Sequence, residues 1–478
     1  MQQPYDIVGS YTKDELSDVN PGNTVNLYEV IDPTAMNGHV LKRTEGTKLT
    51  KDLKVEHGGR GSLKFNDIGY FVIGHYVFSI DIYENINNVG QLESIDSKVW
   101  ICHNKTQLMF TDGVYGYVYT PSTSVFQKIV HPDFPAKPSF CASFGNRGCV
   151  GVGDTNRMQV SAIEDYLTWD ASVYASNSVY GDVVNGAVTV GNRMYVFGRE
   201  SIEPWYIVND VLFPYAVDMN GVRSYGLESP KSLSDDLGEG IALFLSTAKS
   251  GVGSIKMIEE GSLPRTVSTR VVDCLIQSLS NPSDVSSYVH KNNGYLFCTF
   301  NWTTDNLTLC YCITTNRWFK KQYKKDLRHF GENHLFVGNK HYLTHYNQSY
   351  LYEFSTNYFD DDGVNINRVR VGDLIYDKTG KKITLNRFNV ELHQGVGAVT
   401  GEEKVPQVLG SFSIDRGHVF GNRVRADIGR IGLETYNTIF TSCATSHRGI
   451  VPRIETSAKV DFTVLGAWID ITLSDKGV

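Results

Sequence analysis

The chain has 478 residues, which is enough for one large repetitive fold or for two to three ordinary domains. Its formal net charge of −7 argues against wrapping nucleic acid by general electrostatic attraction, because that needs clustered Lys and Arg. Hydrophobic residues make up 41%, so a substantial core can be buried, and 27 Tyr, 23 Phe and 44 Gly indicate strands and turns rather than helices.

The N-terminal segment, residues 1–60, is polar and is predicted to be irregular. Thr12 and Glu15 have the spacing of a capping box, which predicts one short helix there. The first residues lack a basic segment followed by an apolar one, so no signal peptide is predicted. Nowhere does the sequence approach the run of about 18 apolar residues that a membrane-spanning helix needs, so we expect no membrane span.

From residue 61 to residue 362, pairs of apolar or alternating segments recur, each pair separated by a turn that contains Gly, Asn or Asp. The pairs start roughly 35 to 50 residues apart, which suits four-stranded propeller blades. We therefore predict an all-β fold with a β-propeller core over 61–362 in preference to a single sandwich; the spacing does not fix the blade number. The predicted pairs are 70–73 with 76–80, 107–110 with 117–119, 142–144 with 149–152, 188–190 with 194–198, 241–245 with 254–258, 295–300 with 307–312, and 335–337 with 341–343.

Two regions break this rhythm. Apolar positions in residues 267–288 fit either a strand or a short helix, and both readings stay open. Residues 363–478 are predicted to be further strands interrupted by Pro and Gly, as a last blade, a separate β-rich region, or both.

The eight cysteines are scattered, without a CxxC pair or a Cys/His cluster at zinc spacing. We interpret all eight as buried thiols of a reducing compartment rather than as a disulfide framework.

Residues 413–420 have the outline of an Asp box, a turn in a β-hairpin. The side chains of Ser413 and Asp415 can accept hydrogen bonds from N–H groups of the turn, Gly417 can take positive φ, and the aromatic ring of Phe420 can pack below the turn. Such boxes occur in hydrolases and in proteins without catalysis, and they hold the turn in both. We therefore predict a structural role for these residues.

Two further segments have both a functional and a structural reading. Residues 359–367 are rich in Asp and Asn but lack the closing Glu of a calcium loop, which favours a solvated Asx turn. Residues 318–328 mix basic and aromatic residues and could contact a neighbouring subunit or DNA, whereas Lys covering an exposed edge strand is the simpler interpretation. The candidate contact residues are Lys320, Lys321, Lys324, Lys325 and Arg328.

No enzymatic motif stands out in the sequence. The histidines show no HExxH spacing, there is no GxSxG elbow, and residues 151–156 resemble a phosphate loop but lack its Lys and its helix. We therefore expect a non-enzymatic β-scaffold with no catalytic residues, no cofactor and no metal site.

Several segments in co-linear order resemble the packaged-DNA stabilisation protein, or tail hub (nozzle), family of short-tailed phages. They are Asn-Arg-Met at 156–158 with Trp-Asp-Ala at 169–171, Phe-Gly-x-x-Ser-Ile-Glu at 197–203, Arg-x-x-Ser-Thr at 265–269, Gly294 to Trp318, the Asp box, Gly-Arg-Ile-Gly at 429–432, Arg453, and Gly-Ala-Trp-Ile-Asp at 466–470. The resemblance covers about 140–474, and the first 140 residues carry little of it.

The chain departs from the pattern of that family at several places. Tyr295 stands where the family often has His, Arg416 and His418 interrupt its usual turn sequence, and Phe420 replaces Trp. These departures bear on contacts made by the C-terminal region more than on the fold.

The resemblance implies a structural virion protein of a phage tail, assembled in the host cytoplasm. Six copies would form a ring below the portal and its adaptor ring, and the ring would continue or close the DNA channel and retain packaged double-stranded DNA. It would also dock tail fibres or tailspikes and a tail plug or needle.

Two other functions remain open on the residues alone. One is a carbohydrate-active or carbohydrate-binding propeller of sialidase-like architecture, although no spacing picks out its arginine cluster. The other is a cellular propeller that serves as an interaction platform.

Overall fold

The structure is a computed structural model, and it describes residues 2–9, 24–35, 38–177, 179–208, 213–234, 238–248, 251–397, 402–433 and 436–474. The capping box predicted at Thr12 and Glu15 lies outside these residues. Strands dominate, and the described residues contain one α-helix, Arg270–Gln277, besides the short 3-10 turns Pro230–Ser232 and Glu402–Lys404. The all-β prediction is confirmed.

Seven antiparallel sheets follow one another along the chain as blades around a common axis. Blade 1 contains Gly59–Phe65, Ile68–Ile73, Tyr76–Ile80 and Ile86–Gln91, and blade 2 contains Trp100–His103, Leu108–Thr111, Gly116–Thr120 and Val125–Lys128. Blade 3 contains Pro138–Phe144, Arg147–Val152, Arg157–Ala162 and Asp165–Ser176, and blade 4 contains Val184–Val190, Arg193–Gly198, Ile202–Ile207 and Tyr215–Val217. Blade 5 contains Ile241–Ala248, Gly251–Glu259 and Arg265–Thr266, and blade 6 contains Val285–Asn292, Tyr295–Trp302, Leu307–Cys312 and Arg317–Lys320. Blade 7 contains Gly331–Val337, Lys340–His345, Tyr350–Ser355 and Gly46–Asp52.

Blade 5 has an irregular innermost segment instead of a regular inner strand. Within residues 226–234, Glu228 N donates to Leu245 O at 3.0 Å and Ser234 N donates to Leu243 O at 2.9 Å. The short 3-10 turn Pro230–Ser232 lies between these two hydrogen bonds, where Pro has no N–H to donate to a ladder. This segment therefore takes the place of the inner strand beside blade 6.

The N-terminal part of the chain closes the propeller. Strand Gly46–Asp52 pairs antiparallel with Tyr350–Ser355 and supplies the fourth strand of blade 7. The inner strands of blades 1 and 7 are neighbours, and the Ser62 hydroxyl donates to His334 O at 2.7 Å across this junction. A short hairpin, Asp360–Asp361 with Val364–Asn365, extends the sheet of blade 7.

The hairpin turns follow from residue types that accept positive φ. Gly145 and Asn146 have φ values of 56° and 61°, and Asn293 and Gly294 have 49° and 81°. Two consecutive positive φ values are what a two-residue turn needs to match the twist of the strands that it joins. The first turn joins the predicted pair 142–144 and 149–152, which the register of the strands confirms. The second turn joins Val285–Asn292 to Tyr295–Trp302, whereas the predicted pair of blade 6, 295–300 with 307–312, is confirmed by the next hairpin.

The remaining strands form a second β-structure beside blades 6 and 7. One sheet contains Gln2–Tyr5, Leu27–Ile31, His39–Arg43, Lys382–Leu392, Thr438–Ser446 and Thr463–Ser474. The facing strands are Thr24–Val25, Arg368–Val371, Gln407–Ser413, Val424–Asp427 and Val451–Thr456. A core that includes Leu27, Phe388, Phe412 and Phe440 joins the two layers, so this unit is a β-sandwich.

The sheet of blade 6 continues directly into the sandwich. Thr24–Val25 lies between Arg317–Lys320 of blade 6 and Arg368–Val371 of the sandwich, which makes one nine-stranded sheet. Thus the described residues before position 60 form five strands, and the prediction that this segment is irregular is wrong for them. The division at 1–60, 61–362 and 363–478 stays a prediction for independently folding domains, but strand pairing does not follow those bounds.

The helix resolves part of the ambiguity in residues 267–288. Helix Arg270–Gln277 begins after Thr269, whose side chain accepts a hydrogen bond from Val272 N, and strand Val285–Asn292 follows it. The region therefore contains both a short helix and the start of a strand.

Candidate functional site

The axis of the propeller contains a cavity of about 260 Å³ lined by inner strands of blades 1, 2, 6 and 7. Its lining includes Arg60, Trp100, Tyr288, Asn333 and His334. Arg60 donates to the carbonyl oxygens of Gly74 and Ser94 at 2.8 Å each and to Ser97 O at 2.9 Å. Because these N–H groups of Arg60 already donate to backbone carbonyls, its guanidinium connects loops of the protein and is not a free ligand-binding group.

A cluster of buried polar side chains lies at the seam between blades 6 and 7. Glu45 precedes the closing strand, and its carboxylate oxygens lie 3.9 Å from His290 Nε2 and 3.9 Å from Lys321 Nζ. Asn292 Nδ2 donates to Glu45 Oε1 at 2.6 Å. The buried Glu45 carboxylate thus has one ammonium group and one imidazole nearby and accepts a hydrogen bond from an amide.

Histidines extend this cluster into blade 7. His334 Nε2 and His341 Nδ1 are 2.9 Å apart. Burial lowers the pKa of His290 well below its usual range, and Lys321 and His341 lower it further. Burial likewise lowers the pKa of His334 well below its usual range, with His290 and His341 acting in the same direction. These imidazoles are therefore neutral at pH 7 and pack within the seam.

The predicted basic contact segment is divided between the interior and the surface. Lys321 is 2% exposed, with its ammonium 4.1 Å from the ring centroid of Phe354, and Arg328 is 3% exposed. Arg328 donates to Glu332 Oε2 at 2.8 Å and to His329 O at 2.9 Å. Both cations are buried and make their contacts within the chain, so the expectation that they contact a subunit or DNA is wrong for this structure.

The other three predicted contact residues are accessible to different degrees. Lys324 and Lys325 are exposed, and Lys320 is half-buried. Burial lowers the pKa of Lys320, while Asp326 raises it. A contact role for Lys320, Lys324 and Lys325 stays a prediction.

The Asp box connects two antiparallel strands, Gln407–Ser413 and Val424–Asp427. Gly417 N donates to Ser413 Oγ at 2.8 Å, and Val419 N donates to Asp415 Oδ1 at 2.9 Å. Gly417 has φ of 93°. The Ser413 hydroxyl donates to Asp415 Oδ1 at 2.5 Å, and this hydrogen bond, with that of Val419 N, lowers the pKa of Asp415.

The aromatic residue of the box packs against the sandwich. Phe420 contacts a small cluster that includes Val369, Val371 and Val451, and the guanidinium of Arg453 lies 5.4 Å from its ring centroid. The arrangement fixes a loop. A structural role of the box stays our interpretation.

The Asp-rich segment at 359–367 is held by the protein itself. Asp361 is buried and accepts a hydrogen bond from the Thr47 hydroxyl at 2.9 Å, while Lys459 Nζ lies 2.7 Å from Asp360 Oδ2. Burial raises the pKa of Asp361 to about 7. Across the described ranges, no group of three His, Cys, Asp or Glu side chains is placed to hold a metal ion.

The cysteines are free thiols, and six of the eight are buried. Cys274 is exposed and Cys443 is half-buried, so the expectation that all eight are buried is wrong for these two. Burial raises the pKa of Cys149 and Cys310 to about 12, which keeps both protonated and unreactive at neutral pH.

The propeller matches a known protein family. The sequence model of the family described as "Bacteriophage P22 Gp10, beta-propeller", a phage stabilisation family, matches residues 5–358. The match includes the first 140 residues, where we expected little resemblance, and it ends before the Asp box. No curated protein matches the chain.

Solved structures with a similar arrangement share little sequence. The extracellular domain of a hybrid two-component system from B. thetaiotaomicron has a TM-score of 0.43 and 12% identity over 71% of this chain and 44% of that one. The Pan2 WD40 domain of Neurospora crassa has 0.40 and 8% over 62% and 89%, and the computationally designed Ika8 protein has 0.39 and 13% over 70% and 99%. The chain spans less than half of the B. thetaiotaomicron domains that it matches.

The fold is a β-propeller with an attached β-sandwich, and a seam of buried polar side chains lies between blades 6 and 7. No helix among the described residues is long and apolar enough to cross a membrane. The chain belongs to the Bacteriophage P22 Gp10 family of phage stabilisation proteins, which is structural.

Proposed function

We propose that the chain is a structural virion protein of a phage tail that forms a ring, of six copies, below the portal and adaptor rings. The ring continues or closes the DNA channel and retains packaged DNA. It also docks tail fibres or tailspikes and a tail plug or needle, and it is assembled in the host cytoplasm. The observation that carries this proposal is the family match over residues 5–358, which includes all seven blades and the closing strand.

The structure supports a mechanical role through its continuity. The strand that closes blade 7 and the strand that joins blade 6 to the sandwich both come from the N-terminal part of the chain. A load applied to the sandwich is therefore carried into the propeller by backbone hydrogen bonds. A protein that holds a pressurised genome needs this kind of continuous connection between its parts.

The test uses particles assembled with and without this chain. Particles that lack it should package DNA and then lose it, so that the DNA becomes accessible to DNase, and adding the purified chain before release should restore retention. Labelled chain should be located at the vertex that carries the portal. Full retention of DNA by particles that lack the chain contradicts the proposal.

A further inference from the structure

Charge is unevenly divided along the chain. Residues 363–478 contain 15 Lys and Arg against 12 Asp and Glu, whereas the whole chain contains 45 against 52. Residues 1–362 consequently contain 30 against 40. The C-terminal residues, which build most of the sandwich, are therefore net basic, and the residues that build the propeller are net acidic.

An exposed basic segment of the sandwich is residues 414–425, a loop with the first two residues of the strand that follows it, which we call the arm. It joins the two last strands of the nine-stranded sheet, which lie four and five strand positions beyond the outer strand of blade 6. At about 4.8 Å per strand, these two strands lie about 19 and 24 Å past that strand. The arm is thus at the end of this sheet that is farthest from blade 6.

The arm combines arginine with exposed apolar side chains. Ile414 is 54% exposed, Val419 is 68% exposed and Val424 is 44% exposed. Arg416 and Arg425 are exposed and pair with no carboxylate among the residues that the structure describes. The sequence has no Lys between Lys404 and Lys459. Arginine with apolar groups and without lysine is the composition of protein–protein interfaces.

A surface of opposite charge lies at the outer edge of blade 3, which we call the acidic edge. The outer strand Asp165–Ser176 is the last of its sheet, and the sequence has no Lys or Arg from residue 158 to residue 192. Asp170 is exposed, Asp165 is half-buried, and Ile163 is 62% exposed. Nearby, Tyr174 is 43% exposed, although the guanidinium of Arg157 lies 4.7 Å from its ring centroid.

We propose that the arm of one copy docks on the acidic edge of a second copy of this chain. Arg416 and Arg425 face Asp165 and Asp170 in this contact, while apolar groups on both sides are removed from water. The arm belongs to the sandwich beyond blade 6 and the acidic edge belongs to blade 3, so each copy offers two different surfaces and the contact runs head to tail. This inference names the subunit contact of the ring proposed above and rests on that proposal.

DNA is the competing partner for a basic loop. Phosphate contacts come from clustered cations and do not require exposed apolar side chains beside them. The arm also carries Asp415 among its arginines, and Arg423 is already paired with Glu455 at 3.0 Å. Charge complementarity with the acidic edge therefore favours a second copy.

The test reverses the charges on each surface separately. The arm variant carries Arg416→Glu and Arg425→Glu, and the edge variant carries Asp165→Arg and Asp170→Arg. A matched control carries Lys48→Glu and Lys51→Glu, which reverses two exposed charges on the outer strand of blade 7, outside both surfaces. Thermal unfolding of each variant first establishes that it is folded.

Sedimentation at low salt measures the self-association of the full chain. Wild type and control should associate, and the arm and edge variants should each associate at least tenfold more weakly. An equimolar mixture of the two variants should associate again, because each arm then meets an edge of opposite charge. The chain that carries all four reversals should also associate.

Three results overturn the inference: a wild-type chain that stays monomeric at its solubility limit, an arm variant that associates like wild type, and a mixture that does not recover. An arm variant that associates normally but loses salt-sensitive binding to a short DNA duplex identifies DNA as the partner instead. None of these results touches DNA retention in particles, so the proposed function is judged separately.

Discussion

The seam of imidazoles between blades 6 and 7 makes the stability of the protein dependent on pH. His290, His329 and His334 are buried, and desolvation lowers the pKa of each well below its usual range. The cation of Lys321 lowers the pKa of all three in addition. In the unfolded chain these groups take up protons near pH 6.5, whereas the folded seam keeps them neutral.

The sign follows from this difference in proton uptake. Below pH 6.5 the unfolded state binds a proton that the folded state does not, so the free energy of unfolding falls by about 1.4 kcal/mol per pH unit for each such histidine. Asp361 acts the other way, because burial raises its pKa to about 7 and the folded state holds its proton from there down to about pH 4. Three histidines less one aspartate give a net loss of about 3 kcal/mol per pH unit. His345, whose pKa burial lowers to about 4, adds to this loss.

Urea denaturation between pH 7.5 and pH 4.5 measures this dependence. The wild-type slope should steepen below pH 6, and His290→Gln should reduce it by about 1.4 kcal/mol per pH unit, because one titrating group is removed. His447→Gln, at an exposed position, should leave the slope unchanged. A flat wild-type profile, or a His290→Gln slope equal to that of wild type, refutes the reasoning.

Three further substitutions test packing, closure and the turn. Trp302→Ala, at a fully buried indole that donates to Pro282 O, should lower the free energy of unfolding by about 3–5 kcal/mol in urea titration, and Tyr83→Ala, at a ring that is 79% exposed, should change it little. Gly46→Ala places a Cβ 2.4 Å from Asp360 O, so it should cost about 1–3 kcal/mol and expose the edge of blade 7 to hydrogen exchange. Asp415→Ala should speed trypsin cleavage after Arg416 while leaving the unfolding midpoint in place, because it releases the turn and not the core.

The sequence predicted one hairpin in each blade because that hairpin has local signals. Each of the seven predicted pairs corresponds to two adjacent strands of one blade, as Tyr295–Trp302 and Leu307–Cys312 illustrate. These strands are apolar and are joined by turn residues within a few positions. The blade number, which the spacing alone did not fix, equals the number of these pairs.

The strands that the sequence missed lack such signals. Outer strands such as Val125–Lys128 and Ile86–Gln91 are short and largely exposed, so they carry no clear alternation. The innermost segment of blade 5 is irregular and includes Pro230, which removes a backbone donor. Sequence periodicity cannot identify a segment that is ordered by pairing with adjacent strands and has no hydrophobic alternation of its own.

The candidate contact residues show a similar limit. Lys321 and Arg328 look like members of a solvated basic run, yet both are buried, Lys321 beside Glu45 of the N-terminal segment and Arg328 beside Glu332, four residues further on. Glu45 is 276 residues away from Lys321 along the chain, so no local pattern reveals their proximity. The Asp box was recognisable because its hydrogen bonds join residues at most four positions apart.

The propeller and the sandwich depend on each other because both contain strands that are distant in sequence from the rest of the unit. Blade 7 takes its outer strand from residues 46–52, and the sandwich takes strands from residues 2–5, 24–25, 27–31 and 39–43. A chain truncated after residue 362 would leave the four N-terminal strands of the sandwich without the C-terminal strands that pair with them. A chain that begins at residue 61 would lack the outer strand of blade 7 and leave that blade with an open edge. Neither unit is complete as a continuous stretch of sequence, because the N-terminal residues supply strands to both. Folding of the propeller and of the sandwich is therefore coupled through residues 2–52.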